Sequence, residues 1–241
     1  SIFPIVVGGV LSGPLDIYGY QNTPANHKII TGFIKIYCNF QAVINDNEHD
    51  TLTGLLNRKT LDHQISELFV HTSDSQVESN VPENDRSSTK SDLNHWVGML
   101  DIDHFKSIND SFGHIYGDEV LLIFSELMQK TFRDSDLLFR YGGEEFVVVL
   151  QSGTKEDIIN VFNNFRTKLE SHHFPQVGQV TVSIGIVKLN AEEHTTTVLG
   201  HADKALYFSK ENGRNQVNDY HDLINQDKLK TNQINNDIEL F

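Results

Sequence analysis

The spacing of apolar residues along the chain predicts helices that alternate with short strands. Apolar side chains recur every three or four positions, as on one face of a helix, in five segments. These segments are residues 25–48, 53–70, 117–133, 155–171 and 197–213. Continuous or alternating apolar runs instead predict strands over Trp96–Asp103, Leu137–Tyr141, Phe146–Leu150 and Gln179–Leu189. From residue 49 onward the order of elements favours an α/β domain with a central mixed sheet flanked by helices.

Residues 1–48 are predicted to form a separate N-terminal piece. Two short strands occupy residues 1–24, with a turn at Ser12-Gly13-Pro14, and the helix over residues 25–48 follows. This piece resembles the final strand and exit helix of a GAF-type sensor domain. An N-terminal arm that packs on its own domain, or on a second chain, is an equal alternative.

Two polar segments are predicted to lie outside the packed domain, which spans residues 49–217. Residues 72–93 are rich in Ser, Asp, Asn, Glu and Lys, which indicates a long exposed insertion. Residues 218–241 are polar and rich in Asn, so we expect a frayed helix or a disordered C-terminal tail.

Charge and cysteine content exclude some classes of function. The net charge of −14, from 19 basic and 33 acidic residues, argues against a nucleic-acid partner because phosphate backbones attract basic surfaces. The single cysteine, Cys38, excludes an internal disulfide and fits the reducing cytoplasm. No run approaches the roughly 20 apolar residues of a membrane span. We therefore expect a cytoplasmic segment without membrane contact, although a start at Ser1 is compatible with a longer, membrane-tethered protein.

The chemistry of the chain is concentrated in a predicted hairpin. Gly142 and Gly143 separate the two apolar runs at residues 137–150, and two adjacent carboxylates, Glu144 and Glu145, follow them. Glycine allows the tight turn and the close approach of a ligand to the backbone. Adjacent carboxylates repel each other unless a cation or a proton relieves them, so this tip favours a metal site.

Four motifs resemble signatures of the GGDEF family of bacterial diguanylate cyclases. They are DTLTGLLNR at residues 50–58, DIDHFK at 101–106, RYGGEEF at 140–146 and KENGRN at 210–215. The resemblance covers residues 50 to about 217 and implies a nucleotidyl-cyclase-like, ferredoxin-like core. It also implies the condensation of two GTP molecules into cyclic di-GMP with loss of two pyrophosphates. Because one domain holds one GTP, the resemblance implies a homodimer with opposed half-sites.

The resemblance assigns Mg²⁺ or Mn²⁺ to the side chains of Asp101 and Glu144 and to the backbone carbonyl of Ile102. Such hard cations prefer oxygen ligands. Glu144 is also the implied proton acceptor, and Glu145 assists a second ion. Asp103 shares a face with Asp101 in ideal strand geometry, but we expect Asp103 to act as a loop cap.

Substrate contacts are also implied by the resemblance. They are assigned to His104, Phe105, Lys106, Asn109, His114, Asp118, Lys210 and Arg214. Free N–H groups in the turn after the strand can cradle phosphate, and Lys106 is the implied transition-state stabiliser. The Asp118 carboxylate can accept both donors of the guanine edge, which adenine lacks. Without the motifs, Asp118, Lys210 and Arg214 would be interpreted as charges that offset helix dipoles.

Regulation is implied by an R-x-x-D motif five residues ahead of the hairpin tip. Arg133 and Asp136 correspond to the inhibitory product site for cyclic di-GMP in the family. Three alternatives remain open: a catalytically silent module that binds GTP or cyclic di-GMP and regulates a partner, a structural or dimerisation domain, and a cyclase with a different product.

Overall fold

The computed structural model describes residues 2–7, 10–17, 23–65, 95–190 and 193–229, and the chain divides into compact units at residues 1–54 and 55–241. The predicted insertion at residues 72–93 and the last part of the predicted tail, residues 230–241, lie outside the described residues. Within the described ranges, no helix has the length and apolar character that a membrane span requires.

The first unit contains a β-hairpin and one long helix. Strands β1 (Ile2–Val7) and β2 (Val10–Asp16) pair antiparallel, and helix α1 spans Pro24–Glu48. The turn predicted at residues 12–14 is wrong, because Gly13 and Pro14 pair with Ile5 and Pro4 inside the hairpin. Both strands of a two-stranded sheet are edge strands, and an edge strand tolerates a proline that lacks an N–H donor.

The second unit is a six-stranded sheet with helices on both faces. Its first elements are β3 (Leu56–Asn57), α2 (described over residues 58–65), β4 (Trp96–Ile102), α3 (Phe105–Phe112), α4 (His114–Thr131), β5 (Leu137–Gly142) and β6 (Glu145–Leu150). The rest are α5 (Lys155–Ser171), β7 (His173–Phe174), β8 (Gly178–Gln179), β9 (Val182–Lys188), α6 (Thr195–Glu211), β10 (Val217–Asp219) and α7 (Tyr220–Asn225).

The topology of this sheet confirms the predicted fold class. The strand order is β10-β9-β4-β6-β5-β3, and the four central strands pair antiparallel. These four strands with α3–α4 and α5 form a βαββαβ unit, the ferredoxin-like arrangement. Strand β10 adds parallel to β9, and β3 adds parallel to β5, so the whole sheet is mixed.

Side chains alternate along β4 between two helical layers. Val97 and Met99 join a buried cluster with residues of α6, such as Ala202 and Leu206. On the other face, buried phenylalanines of α4, β6 and α5 pack together, with ring centroids 4.5 Å apart for Phe124–Phe146 and 5.2 Å apart for Phe124–Phe165. The sheet is therefore buried on both faces, and the carboxyl end of β4 emerges between the two layers.

Helix α6 lies unusually close to the sheet at Gly185 of β9. A Cβ atom at Gly185 would lie 2.1 Å from the backbone nitrogen of Leu206 and 2.2 Å from the carbonyl oxygen of Ala202. Only glycine permits this approach of a helix backbone to a strand. The contact fixes the height of α6 above the sheet, and with it the position of the residues at the end of that helix.

Three local predictions differ from the structure. Thr53 does not cap a helix: α2 begins after β3, and the Asn57 Oδ1 atom accepts from the Thr60 backbone N–H (3.1 Å), as a helix N-cap does. The turn predicted after β4 is limited to Asp103 and His104, and helix α3, which the sequence analysis did not predict, begins at Phe105. The first part of the predicted tail belongs to the fold, since β10 joins the sheet and the Leu223 side chain of α7 is buried.

Candidate active site

The hairpin predicted around residues 137–150 is present, with a two-residue turn at its tip. Gly142 pairs with Glu145, which leaves Gly143 and Glu144 as the turn, and Gly143 has a φ of 51° that favours glycine. The guanidinium group of Arg140 donates to the Gly143 carbonyl from Nε (3.1 Å) and Nη2 (2.9 Å). The turn is thus held by a side chain from its own strand, a contact that the sequence analysis did not foresee.

Three carboxylates meet where this hairpin joins the end of β4. Asp101 lies directly opposite Glu145 in the antiparallel pair, and the Ile102 N–H donates to the Glu144 carbonyl (3.3 Å). Burial raises the pKa of Asp101, Glu144 and Glu145, and the charge of Asp101 raises the pKa of both glutamates further. The cluster therefore carries partly buried negative charge that a cation would relieve.

One lysine from helix α6 partly offsets this charge. The Lys210 Nζ atom, on the last turn of α6, lies 2.7 Å from Asp101 Oδ2. Asp101 belongs to the same alternating series as Val97 and Met99, so it faces α6. The positive charges of Lys210 and Arg214 both lower the pKa of Asp101, although burial outweighs them.

The donor chemistry of this cluster fits a hard divalent cation. Asp101 and Glu144 offer carboxylate oxygens, and burial first, then repulsion from neighbouring carboxylates, raises the pKa of both groups. Across residues 2–7, 10–17, 23–65, 95–190 and 193–229, no group of three His, Cys, Asp or Glu side chains has metal-binding geometry. The predicted ligand set has only two side chains, and its third ligand is a backbone carbonyl. It is therefore not a group of three such side chains.

Asp103 does not act as the loop cap that we expected. Its carboxylate is 4% exposed and accepts from Thr181 Oγ1 (2.7 Å), Ser183 Oγ (2.7 Å) and the Asn215 N–H (3.1 Å). Because β4 ends at Ile102, Asp103 diverges from Asp101 and turns toward β9 and the segment after α6. Asp103 thus links two elements that are distant in sequence.

The residues after Asp103 form the N-terminus of α3. His104 has a left-handed backbone (φ 59°) and makes no side-chain capping bond to the first turn of this helix. The Phe105 side chain is buried, so this residue offers a ligand its backbone rather than its ring, while Lys106 is exposed. A polar pocket of about 170 Å³ beside α3 includes His104, Ser107 and Gln179.

The residues assigned to guanine lie on α3 and α4. The Asn109 side chain lies over Gly117: a Cβ atom at Gly117 would come within 2.0 Å of Asn109 Oδ1. The next residue, Asp118, is exposed, as is His114. Since α4 begins at His114, Asp118 lies beyond the first turn of the helix, where its interaction with the helix dipole is weak.

Arg133 and Asp136 lie apart from these residues, in the connection between α4 and β5. Asp136 Oδ2 accepts from the Arg133 N–H (2.9 Å), and the Asp136 N–H donates to the Arg133 carbonyl (2.9 Å). Both residues line a shallow pocket of about 70 Å³ with Gln151, Ser152 and Asp157. This pocket shares no lining residue with the polar pocket beside α3.

Sequence reasoning missed two features around the site. The guanidinium group of Arg58 lies over the Tyr141 ring, 4.4 Å from its centroid, and its charge offsets a small part of the rise that burial causes in the pKa of Glu145. Asn215 bonds to Asp103 and also to α5. Arg58, Tyr141 and Asn215 all stand inside the motifs that indicated the family, so the signal was present, but no local pattern shows which side chains meet.

Comparison with known proteins identifies relatives of the domain. The model of the family described as "Diguanylate cyclase, GGDEF domain" matches residues 47–216. Diguanylate cyclase DgcZ of Escherichia coli K12 is 32% identical over 170 residues, which cover 69% of this chain and 51% of DgcZ. Diguanylate cyclase A of Treponema denticola is 41% identical over 123 residues, which cover 49% of this chain and 33% of the relative. The chain thus spans about half the length of these relatives, or less.

Solved structures resemble the chain in fold. The coiled coil and GGDEF domain of DgcB from Caulobacter crescentus, in complex with c-di-GMP, has a TM-score of 0.69 and 25% identity, and the match covers 83% of this chain and all of that one. The active GGEEF domain of a diguanylate cyclase from Vibrio cholerae has a TM-score of 0.58 and 29% identity over 69% of this chain and 97% of that one. The family-model match over residues 47–216, together with these relatives, shows that the chain belongs to the GGDEF family of diguanylate cyclases.

Proposed function

We propose that the protein is a diguanylate cyclase that condenses two GTP molecules into cyclic di-GMP. The observation that carries this proposal is the convergence of Asp101, Glu144, Glu145 and Lys210 at one end of the sheet. In each of two steps, the ribose 3′-oxygen of one GTP forms a bond to the α-phosphorus of the other. The bond from that phosphorus to pyrophosphate breaks, and the hydroxyl proton leaves to a base.

The proton acceptor in this proposal is Glu144. Burial and the charge of Asp101 raise the pKa of Glu144, and a raised pKa makes a carboxylate a better base. The turn at Gly143 leaves the Glu144 side chain half-exposed at the tip, where a hydroxyl group can approach it.

Asp101, Glu144 and the Ile102 carbonyl are proposed to hold Mg²⁺ or Mn²⁺, with Glu145 nearby for a second ion. Such an ion would lower the pKa of the attacking hydroxyl and neutralise phosphate charge. Lys210 contacts only the Oδ2 atom of Asp101 (2.7 Å), which leaves Oδ1 as the oxygen that would hold an ion. The Lys210 ammonium group would lie close enough to this ion's site to contact a phosphate bound there.

The nucleotide is proposed to bind along α3 and α4. Asn109 and Asp118 receive the guanine edge, with His114 nearby, and the Asp118 carboxylate accepts the two donors that distinguish guanine from adenine. The uncapped first turn of α3, at His104 and Phe105, offers backbone N–H groups to phosphate. Lys106, Lys210 and Arg214 supply positive charge for the phosphates and for the transition state.

Catalysis on this proposal requires a homodimer, because one domain holds one GTP and the two half-sites must face each other. Helix α1 supports such a dimer. Its apolar seam, defined as Ile29, Phe33, Ile36, Phe40 and Val43, is exposed to between 57% and 68%. The spacing of four, three, four and three residues is that of a two-stranded coiled coil. The Caulobacter relative described as a coiled coil and GGDEF domain aligns with 83% of this chain.

Arg133 and Asp136 are proposed to bind cyclic di-GMP as an inhibitor. Arg133 is exposed beside a pocket that Asp157 also lines, and hydrogen bonds from Thr154, with a smaller contribution from the charge of Arg133, lower the pKa of Asp157. An arginine here can contact guanine or phosphate. We expect Arg133→Ala to relieve product inhibition without loss of the initial rate; unchanged inhibition in turnover assays with added cyclic di-GMP would remove this site.

Incubation of the full chain with GTP and Mg²⁺, followed by chromatography and mass analysis of the nucleotides, tests the proposed reaction. We expect cyclic di-GMP and two pyrophosphates per product, and no product from ATP. Binding of GTP without turnover would instead support the silent module, and a mixed cyclic dinucleotide would change the product assignment.

A further inference from the structure

The segment that joins α6 to β10 has an unusual backbone. Gly213, Arg214 and Asn215 have consecutive positive φ values of 111°, 60° and 46°. Glycine and asparagine tolerate this region, but arginine is strained there and keeps the conformation only where its surroundings impose it. The surroundings of Arg214 therefore need a physical explanation.

The first restraint comes from the buried carboxylate of Asp103. The backbone N–H of Asn215, the residue after Arg214, donates to Asp103 Oδ2 (3.1 Å). Thr181 and Ser183 of β9 donate to the same carboxylate, both at 2.7 Å, and orient it. Asp103 thus ties the peptide that follows Arg214 to the central sheet.

The second restraint comes from α5 and acts on the Asn215 side chain. Asn215 Oδ1 accepts from Arg166 Nη1 (2.9 Å), and Asn215 Nδ2 donates to Glu170 Oε1 (2.8 Å). Arg166 and Glu170 also form an ion pair with each other (3.0 Å). We name Asp103, Arg166 and Glu170, which hold Asn215 from two elements, the Asn215 clamp.

The clamp holds the residue next to Arg214, which the proposed function assigns to the triphosphate. The Arg214 N–H donates to the Ser209 carbonyl (2.9 Å), which fixes the other end of the segment to α6. The Arg214 side chain is exposed, and Arg214 follows four residues after Lys210, whose Nζ atom lies 2.7 Å from Asp101 Oδ2. With its backbone held on both sides, Arg214 extends its side chain from a fixed point near the carboxylate cluster.

We propose that Asp103 is a positioning residue: through the Asn215 clamp it holds Arg214 in the strained backbone conformation that directs its guanidinium group to the terminal phosphates of GTP. This inference rests on the proposed assignment of Arg214 to the triphosphate. Asp103 itself touches no substrate in this arrangement. The role differs from that of Asp101, two residues earlier, which faces α6 and Lys210.

A double-mutant cycle on nucleotide affinity tests the proposal. Full-length wild type, Asp103→Asn, Arg214→Ala and the double variant are titrated calorimetrically with GTP and with GMP in Mg²⁺. Loss of one charge-assisted contact predicts GTP affinity about tenfold weaker in each single variant. GMP affinity should stay within about twofold, because GMP lacks the terminal phosphates, and the double variant should bind GTP no more weakly than Arg214→Ala.

Additive losses in the double variant, or equal losses for GTP and GMP, would show that Asp103 only supports the fold and would overturn the proposal. If Asp103→Asn unfolds, Asn215→Gly and Arg166→Gln are tested instead. Asn215→Gly keeps the positive φ and the backbone N–H but removes the side-chain bonds, and Arg166→Gln removes the guanidinium donor on α5. Both should weaken GTP affinity selectively; unchanged affinity would refute the clamp. Glu156→Gln, an exposed carboxylate-to-amide change on α5, is the matched control.

The outcome also separates this inference from the proposed reaction. Wild type that binds GTP more tightly than GMP but forms no cyclic dinucleotide would defeat the cyclase proposal and leave the clamp testable by the same cycle. Wild type that binds both nucleotides equally would overturn the clamp, because no phosphate contact would remain for it to position.

Discussion

At the scale of single residues, the hairpin tip combines groups that repel one another. Asp101, Glu144 and Glu145 lie close enough for the charge of Asp101 to raise the pKa of both glutamates. A fold selected only for stability would place a neutral or basic side chain at one of these positions. The retained repulsion is consistent with a site that gains its energy from a bound cation and triphosphate.

Glu144→Gln is expected to reduce cyclic di-GMP formation by on the order of a hundredfold or more, since the amide neither accepts the proton nor binds a cation well. Turnover with GTP and Mg²⁺, measured by chromatography, tests this. Glu126→Gln, an exposed carboxylate on α4, should retain full activity. Undiminished turnover by Glu144→Gln would contradict the assignment of Glu144.

The stability of the same variant should depend on pH. The raised pKa of Glu144 means that the folded state binds a proton more tightly than the unfolded state does. Its contribution therefore favours folding below the ordinary pKa of 4.5 and is lost as the pH rises through the raised value. Thermal unfolding should show Glu144→Gln more stable than wild type at pH 7, with the gain shrinking toward pH 4. An equal gain at both values would contradict the electrostatic cause.

At the scale of elements, the site depends on how α6 packs on the sheet. The helix brings Lys210 to Asp101, and its height is fixed where its backbone meets Gly185 of β9. The link after α6 then turns through left-handed residues into β10, which pairs with β9 in register at Ile184. Helix α6 and strand β9 together therefore set the positions of the basic residues of the site.

Gly185→Ala is expected to destabilise the domain by roughly 1–3 kcal/mol or more, because the new methyl group overlaps the α6 backbone. Gly200→Ala is the matched control: it lies within α6, and a Cβ atom there meets nothing within 4 Å. The control should gain up to about 1 kcal/mol from helix propensity. Urea unfolding of both variants checks the prediction, and equal stabilities would show that α6 is free to shift.

At the scale of the whole molecule, the proposed activity requires two copies of the chain. In a single copy of the chain, the apolar seam of α1 is exposed to water. This exposure costs free energy that the association of two copies would recover. Its residues follow a 3.5-residue period, whereas a helix packed on its own globular domain shows a wider apolar stripe. The seam therefore favours the second-chain alternative for this helix.

Phe40→Asp is expected to convert a dimer into a monomer and to abolish turnover, because the charge would be buried between two helices. Lys35→Asp introduces the same residue at an exposed position outside the seam and should leave the dimer intact. Light scattering coupled to size-exclusion chromatography reports the mass. A dimer that survives Phe40→Asp would place the interface elsewhere.

Several features of the protein follow from the sequence alone. The apolar run that begins at Trp96 and the helical spacing of α1 and α5 predicted those elements closely, because periodicity is a local property. The hairpin was predicted as well, but its turn lies at Gly143 and Glu144 rather than at Gly142 and Gly143. The hairpin tip with its carboxylates was predictable for the same reason. The motifs also indicated the family that the comparison confirms.

Tertiary structure decided which of these residues meet. The Asp101–Lys210 pair, the bonds from Asp103 to β9 and Asn215, and the burial of Tyr220 and Leu223 in a segment predicted as a tail all join parts of the chain that are distant in sequence. Such contacts depend on the close packing of α6 on Gly185 and on the mixed order of the strands. A local pattern encodes the period of an element and its ends, whereas the position of one element against another is set by the packing of the whole core.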